Sequence, residues 1–548
     1  MSGPARPVVA VGDAGLLAAV EGPAEARALA AAVSGARWPG VLDVVGGLRT
    51  VLVTVTPGRA DLDDLCARVA WLGPATLAAA RPRAHRLAVV LDGPDLDEVC
   101  GLAKVAPDEL ADLLAGAVLE VAVVGFSPGF AYLSGLPPPL AAVGRRSAPR
   151  PSVAAGSLAL AGGFAAVYPQ ATPGGWQLVG RTPARLFDPR TPPYAVLAPG
   201  DTVRLDPVAG DAGAAPPPPA RRAMRVAEGA RPAFVVVDPG VLSMVEDAGR
   251  RGMAHLGVPG AGPADPLTHA LANRLVGNPV TAAALEVTAR GPVLVATDHL
   301  HVAVVGHAPV TVDGREVGAG HVVPVAPAQR LAVGPVEAGL RCYLAVAGGL
   351  AAPEVMGSCS TDVLARIGPG PLVAGDELGR AGPAGPMADR LAPGAPGLPE
   401  GAGRRRVLRV LPGPHAGWFP DGALDRLAGA VWVVGGASDR VGLRLSPASG
   451  PGVERRHGEL ASEGMVTGAV QVPPDGSPVV LGPDHATLGG YPVVAVVAAC
   501  DRWLIGQCRP GDEVELAPVT PAEAAAALGD LVARASAGVV GRYPVVPG

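Results

Sequence analysis

Lysine is almost absent. Lys104 is the only one in 548 residues, and the rest of the positive charge is arginine. That weakens any chemistry resting on a lysine Schiff base, a P-loop lysine or a biotinylated lysine. The six cysteines, Cys66, Cys100, Cys342, Cys359, Cys500 and Cys508, include no Cys-x-x-Cys pair, which argues against a zinc ribbon or a disulfide scaffold. No uninterrupted apolar run approaches the ~18 residues of a membrane helix. Met1 to Pro7 opens no apolar segment of signal-peptide length, so a soluble cytoplasmic protein is the expectation. A formal net charge of −5 gives no electrostatic case for nucleic acid or an anionic membrane.

What is present is hydrophobicity, glycine and proline. The chain is 49% hydrophobic and 17% charged, with 76 Gly and 61 Pro. It can bury cores, and its length suggests roughly three to four domains. One phrase occurs twice: Thr172-Pro-Gly174-Gly175-Trp176 and Thr487-Leu-Gly489-Gly490-Tyr491, each leading into an apolar run. Each is followed by Pro-Gly-Asp, 26 and 22 residues beyond the first glycine. Two phrases in one order at similar spacing indicate a duplicated unit.

Taken in order, 8–20 reads as strand, Gly-Asp turn and strand, Pro23–Val33 as a helix, and Val41–Val55 as a hairpin. Leu62–Leu72 and Pro94–Leu114 are helical in pattern, with Asp95 and Asp108 near helix starts. Residues 8–115 form a small α+β subdomain on this reading. From 116 to 206 short apolar runs alternate with Pro and Gly turns, the texture of a barrel or sandwich. Residues 207–232, with Pro216 to Pro219, read as an extended linker. A first subdomain follows over 233–378, with Asp265 capping a helix over Pro266–Leu275. Residues 379–406 are a Gly/Pro-rich loop and 407–517 a second barrel region. Over 518–548 a capping box, Thr520-Pro-Ala-Glu523, opens a final helix.

Several motifs invite chemistry. Gly125-Phe-Ser-Pro-Gly129 matches the nucleophile-elbow pattern, but Pro128 removes the N–H that would serve the oxyanion, and Pro137 to Pro139 deny a following helix. Asp298-His299-Leu300-His301, even with His307 and His321 beside it, lacks a recognisable ligand spacing, so no metal is expected. Gly357-Ser-Cys359-Ser-Thr361 is a hydroxyl-rich turn able to present N–H and O–H groups to an anion.

These pieces fall into a familiar order. Gly125-Phe-Ser-Pro-Gly-Phe-Ala-Tyr-Leu133, Pro149-Arg150, Ala155-Gly-Ser157 and Pro173-Gly-Gly-Trp-Gln-Leu-Val-Gly-Arg-Thr182 resemble the B-type subunit of bacterial 5-oxoprolinase. That family is also called allophanate hydrolase subunit 1, and it includes sporulation-kinase inhibitors. Glu246-Asp-Ala-Gly-Arg250, Ala272-Asn-Arg-Leu-Val-Gly-Asn278, Leu285-Glu286, Gly357 to Thr361, Ser438-Asp-Arg-Val-Gly-Leu-Arg444, Ser462-Glu-Gly464 and Gln471-Val-Pro-Pro-Asp-Gly476 resemble its C-type partner. The chain reads as a natural fusion of the two. The resemblance implies a mainly β protein with α+β subdomains and two cyclophilin-like β-barrels, one per half. It also implies ATP-dependent opening of 5-oxo-L-proline to L-glutamate, with Mg2+, alongside a separate A-type subunit of 5-oxoprolinase.

The same modules form the carboxyltransferase part of urea carboxylase; the chain carries no biotin site, which excludes a complete carboxylase but leaves a carboxyltransferase-type component of a urea or amide carboxylase-like system as an alternative. This chain departs from the family patterns at Gly163 to Ala166, Cys359, and His485-Ala486, which opens altered specificity or a non-catalytic, kinase-inhibitor-like binding role; a homo-oligomer is also possible. Substrate or nucleotide contacts are expected at Arg150, Ser157, Thr172, Gly174, Gly175, Trp176, Asn273, Asn278, Ser358, Ser360, Thr361, Arg440, Gln471, Thr487 and Gly489. Arg150 and Arg440 suit a carboxylate or phosphate, and Asp439 or Glu463 suits a general base.

Overall fold

The computed structural model describes residues 6–73, 82–210, 223–396, 405–456, 458 and 460–541. Pro216 to Pro219 of the expected spacer lie outside these. The N-terminal layer is an antiparallel sheet of four strands in the order Val8–Val11, Gly15–Ala19, Thr50–Val55, Val41–Gly46. Two-residue alternation divides its side chains. Leu16, Ala18, Val51 and Val53 pack on helices Pro23–Ala36 and Leu62–Trp71 through Leu29, Val33, Leu65 and Val69. Leu17, Val45 and Leu52 point the other way, into a cluster shared with both barrels.

The first barrel is built from β1 (Ala84–Val89), β2 (Leu119–Val124), β3 (Ala131–Ser134), β5 (Ser157–Ala161), β6 (Phe164–Val167), β8 (Gln177–Arg181) and β9 (Thr202–Pro207), while β4 (Arg150–Val153) and β7 (Thr172–Gly174) form a separate ribbon. Its order is β8-β5-β6-β3-β2-β9-β1, with β9 parallel to β1. A bridge between Val90 and Arg181 brings β1 back to β8. The single helical pattern expected over 94–114 is two helices, Leu96–Ala103 and Pro107–Gly116. Lys104 ends the first in the left-handed region (φ 57°) and Pro107 starts the second.

The second barrel repeats this plan strand for strand. It comprises β10 (Arg405–Pro412), β11 (Val431–Val434), β12 (Gly442–Pro447), β14 (Ala469–Gln471), β15 (Val479–Leu481), β17 (Val493–Val497) and β18 (Glu513–Pro518), with a ribbon of β13 (Glu463–Gly464) and β16 (Leu488–Gly489). The closed order β10-β17-β14-β15-β12-β11-β18 is that of the first barrel shifted by nine strands, and β10 and β18 are again parallel. The repeated phrase is thus the trace of a duplicated barrel.

Between the barrels lies a layer of two antiparallel sheets, of seven and five strands. It carries one helix of at least two turns, Pro266–Leu275, capped by Asp265 as expected. This layer is more β-rich than the small α+β subdomain that the resemblance implies. The segment expected as a loop over 379–406 is not all loop. Arg390–Leu391 pairs with Val539–Val540, and Met387 and Ala388 pack beside Leu275; residues 397–404 lie outside those described. The final helix, Pro521–Ser536, opens with the reciprocal Thr520–Glu523 capping box.

Candidate functional site

The two ribbons define the site. Gly174 on β7 stands opposite Arg150 on β4, and Gly489 on β16 stands opposite Glu463 on β13. Arg150 and Glu463 therefore occupy equivalent positions on two copies of one ribbon, with opposite charge. Close approach requires the first glycine of each phrase. A Cβ on Gly174 would lie 2.2 Å from Tyr168 Oη, and one on Gly489 2.6 Å from Gln471 Nε2. The hydroxyls that open the phrases, Thr172 and Thr487 Oγ1, are both buried with no hydrogen-bond partner. Buried polar groups are rarely left so, and both copies share the feature.

In the N-terminal half the ribbon is tied to Asp95. This residue stands at the N-cap position of Leu96–Ala103 but caps nothing. Its Oδ1 instead accepts from Arg146 (2.8 Å) and Arg150 (2.7 Å), and its Oδ2 from Leu178 N–H (2.7 Å). Burial alone would raise this carboxyl. Arg150, the Leu178 N–H and Arg146 outweigh it and hold Asp95 below the usual carboxylate range. Arg150 is thus already paired, with Nη1 buried and unpartnered. Burial, then the neighbouring Tyr132, pushes Tyr168 up to about 12. Ser157 opens β5 opposite Arg181 and takes no part in the ribbon pairing.

In the C-terminal half Glu463 meets a histidine. His415 Nδ1 accepts from Val493 N–H at 3.0 Å, so the ring proton is on Nε2, which lies 2.8 Å from Glu463 Oε1. Both residues are buried. Gln471 Nε2 donates to Met465 Sδ (3.1 Å) beside them. No sequence pattern marked His415; it follows a Pro-Gly-Pro turn.

The two ribbons converge on one aromatic cluster. Phe130 packs edge-on against Tyr132, Tyr168 and Trp176, with centroids 5.1–5.7 Å apart. Tyr132 also packs on Trp176 and hydrogen-bonds Ser462, the residue before Glu463. Met465, Leu481, Leu488 and Val493 of the second barrel join the same core, as do Leu17 and Leu52 of the N-terminal sheet. Leu48 N–H donates to Ser462 O at 2.9 Å. Ser462-Glu463 therefore sits where the N-terminal sheet and both barrels meet, and neither half alone forms the site.

Other expected contacts are placed elsewhere. Arg440 is buried between the second barrel and the middle layer. It binds Asp484 through two bonds (2.8 and 2.8 Å), Glu286 (2.7 Å) and Gly262 O (2.7 Å). It does bind carboxylates, but they are the protein's own. Glu286 is also held by Arg341 (3.0 Å) and Tyr343 (2.7 Å). Burial, then the charges of Glu286 and Asp484, push Glu246 well above the usual range against the pull of Arg440.

Asn273 and Asn278 are spent on each other and on Ala282 O, Val346 O and Gly348 N–H, closing the end of the helix. Asp439, the alternative base, is exposed and accepts from Val441 N–H (2.9 Å) in its own turn. Ser358 and Ser360 bind Asp247 Oδ1 (2.5 and 2.8 Å), while Thr361 Oγ1 is buried without a partner. Burial, then the Asp247 charge, pushes the Cys359 thiol up to about 11, which makes it a poor nucleophile. Ser127 lies in a loop between β2 and β3 with no helix after it, so no elbow forms. Among the described residues no group of three or more His, Cys, Asp or Glu is arranged to hold a metal ion.

Two duplicated barrels, joined through a β layer and sharing one interfacial site, define a carboxyltransferase-type protein. Residues 8–197 match the family described as carboxyltransferase domain, subdomain C and D, and residues 256–518 match subdomain A and B. The C-type subunit of 5-oxoprolinase from Escherichia coli K12 is 34% identical over 294 residues, covering 53% of this chain and 92% of that protein. The B-type subunit from E. coli O157:H7 is 35% identical over 173 residues, 31% of this chain and 79% of that protein. Urea amidolyase of Lachancea kluyveri is 32% identical over 310 residues, and the match spans 17% of its length. The solved structure of TTHA0988 superposes with a TM-score of 0.81 at 34% identity, over 93% of this chain and all of that one. The chain belongs to the families of the B-type and C-type 5-oxoprolinase subunits, with the B-type part first and the C-type part second.

Proposed function

We propose that this chain is the B–C component of an ATP-dependent 5-oxoprolinase, which opens 5-oxo-L-proline to L-glutamate together with a separate A-type subunit. The observation that carries the reading is the His415–Glu463 pair, buried where both halves meet. Opening a lactam needs a base for the attacking water and donors for the oxygen that gains charge. Glu463 is the base. His415 Nε2–H fixes its Oε1 at 2.8 Å and so orients the carboxyl group. The unpartnered Thr487 hydroxyl and the Gln471 amide, which lies beside Gly489 opposite Glu463, are the candidate donors. Arg150 and Thr172, on the equivalent ribbon, suit the substrate's carboxylate.

ATP, with Mg2+, would supply the phosphoryl group that activates the amide oxygen. The residues at the ribbons do not fit it: no P-loop, lysine or converging acid pair lies there, so no step is derived through it. The test is 5-oxoproline-dependent ATP hydrolysis by the purified chain, alone and mixed with a cognate A-type subunit. Turnover only in the mixture is expected. A demonstrated complex without turnover would move the assignment to another amide. The carboxyltransferase description of both halves favours a second reading, transfer of a carboxyl group from carboxybiotin to an amide, which the same protein would reveal as carboxybiotin consumption.

A further inference from the structure

A polar cavity lies in the middle layer and contains none of the ribbon residues. It has a volume of about 740 Å³ and is walled by His307, His321, Glu316, Glu337, Asp389 and Arg390. A β-bulge builds one wall. The pairing of Leu300–His307 with Ala338–Val346 shifts register between Val305 and His307. Gly306 makes this possible at φ 134°, where a Cβ would lie 2.4 Å from Cys342 Cβ. Bulges re-aim the side chain that follows, and here His307 is turned to the cavity, with Nε2 buried and unpartnered. His307 O accepts from Glu337 N–H at 2.6 Å, which fixes the two acid-base groups side by side.

The charges around this cavity are not spent on one another. Among the described residues Glu316, Glu337, Asp389 and Arg390 form no ion pair; Asp389 is half-buried, and the other three are exposed at the cavity rim. Three carboxylates against one guanidinium leave a net negative wall with a single positive point. Such a wall favours a cation, and Arg390 offers a bidentate partner for a carboxylate. The volume suits a small ligand.

We infer that this cavity is a second ligand site, which takes a small molecule bearing an ammonium group and a carboxylate, the class of the α-amino acids. A lactam offers a neutral N–H where a ring-opened amino acid offers an ammonium. If the proposed reaction holds, the cavity therefore distinguishes product from substrate.

Isothermal titration of the full chain at neutral pH, with no ATP and no second protein present, tests this apart from turnover. The probes are L-glutamate, ethylammonium and 5-oxoproline. L-Glutamate should bind most tightly, ethylammonium more weakly, and 5-oxoproline at least tenfold more weakly than L-glutamate. The exposed pair Glu316→Gln and Glu337→Gln together should weaken both amines tenfold or more. Arg390→Leu should weaken L-glutamate and leave ethylammonium unchanged. Equal binding of 5-oxoproline overturns the inference, as does absence of heat with every amine. So does loss of L-glutamate binding in Glu463→Gln but not in the cavity variants, which would place the amino acid at the ribbons.

Discussion

Replacing Arg440 by methionine should be among the most damaging single changes in this protein, although the residue touches no proposed reacting group. Its guanidinium is buried and engages Asp484 twice, Glu286 once and Gly262 O once, at 2.7–2.8 Å, with Glu246 at 3.7 Å. Methionine keeps much of the volume but strips Asp484 and Glu286 of their shared guanidinium, leaving the buried acids with only Arg341 and the more distant Arg250. Removing one partner of a buried ion pair typically costs 3–5 kcal/mol, mainly because the other charge is stranded. About 4 kcal/mol is expected here, a large share of a domain's usual stability. The Asp484→Leu variant alone strands Arg440 less, since Glu286 remains. The double variant Arg440→Met, Asp484→Leu should recover about 2 kcal/mol relative to the sum of the single costs, because both members of the tightest pair are gone. Urea unfolding of the four proteins, followed by far-UV circular dichroism and tryptophan fluorescence, closes the cycle. A single-variant cost below about 1 kcal/mol, or strictly additive costs, would refute the claim that this arginine locks the second barrel to the middle layer.

Burial, then the charge of Asp484, pushes Asp362 up to about 7. Its acid form is therefore favoured by folding, so stability should fall as pH rises from about 4 to about 7 and then level off. Asp362→Asn should remove this slope, with a gain on the order of 4 kcal/mol at alkaline pH and none at pH 4, read from urea midpoints across pH. Gly174→Ala should cost more than Gly489→Ala, since the new methyl meets the phenol of a ring fixed among aromatics in one case and a movable amide in the other. About 2–3 kcal/mol against about 1 is expected, measured by denaturant midpoint. In a reconstituted complex Glu463→Gln should lower kcat by 10²–10⁴ with little change in KM. His415→Gln, which keeps a donor for Glu463 Oε1, should lose much less than His415→Leu in the same assay.

The repeat made the duplicated barrels legible, because Thr-x-Gly-Gly and Pro-Gly-Asp fix tight local geometry that the chain must spell out. The ribbon residues were legible for the same reason. Their partners were not. Asp95 looks like a helix-start acid, yet it turns to arginines more than 50 residues away. His415 has no periodicity to betray it, and its role depends on a main-chain N–H 78 residues further on. Arg440, Asn273 and Asn278 show the opposite error. Their polarity is plain in the sequence, but only the fold reveals that their hydrogen bonds are satisfied within the chain. The middle layer, too, was under-read, since short strands paired across long distances leave only a weak trace in sequence.

The parallel pairing of first and last strands has a consequence for how the protein comes into being. β1 cannot meet β9, nor β10 meet β18, until 112 and 100 intervening residues, respectively, have been made. Non-local closure of this kind slows folding, because loop entropy is lost before contacts reward it. On the ribosome the first barrel can close once Pro207 has emerged, but its aromatic mouth is then covered only on the side of the N-terminal sheet. Leu488 and Met465, which cover it, belong to a barrel synthesised last. During that interval an apolar surface stands open to solvent. A chain truncated before the second barrel should therefore be prone to aggregate, and joining the two halves in one polypeptide keeps the missing cover at high effective concentration.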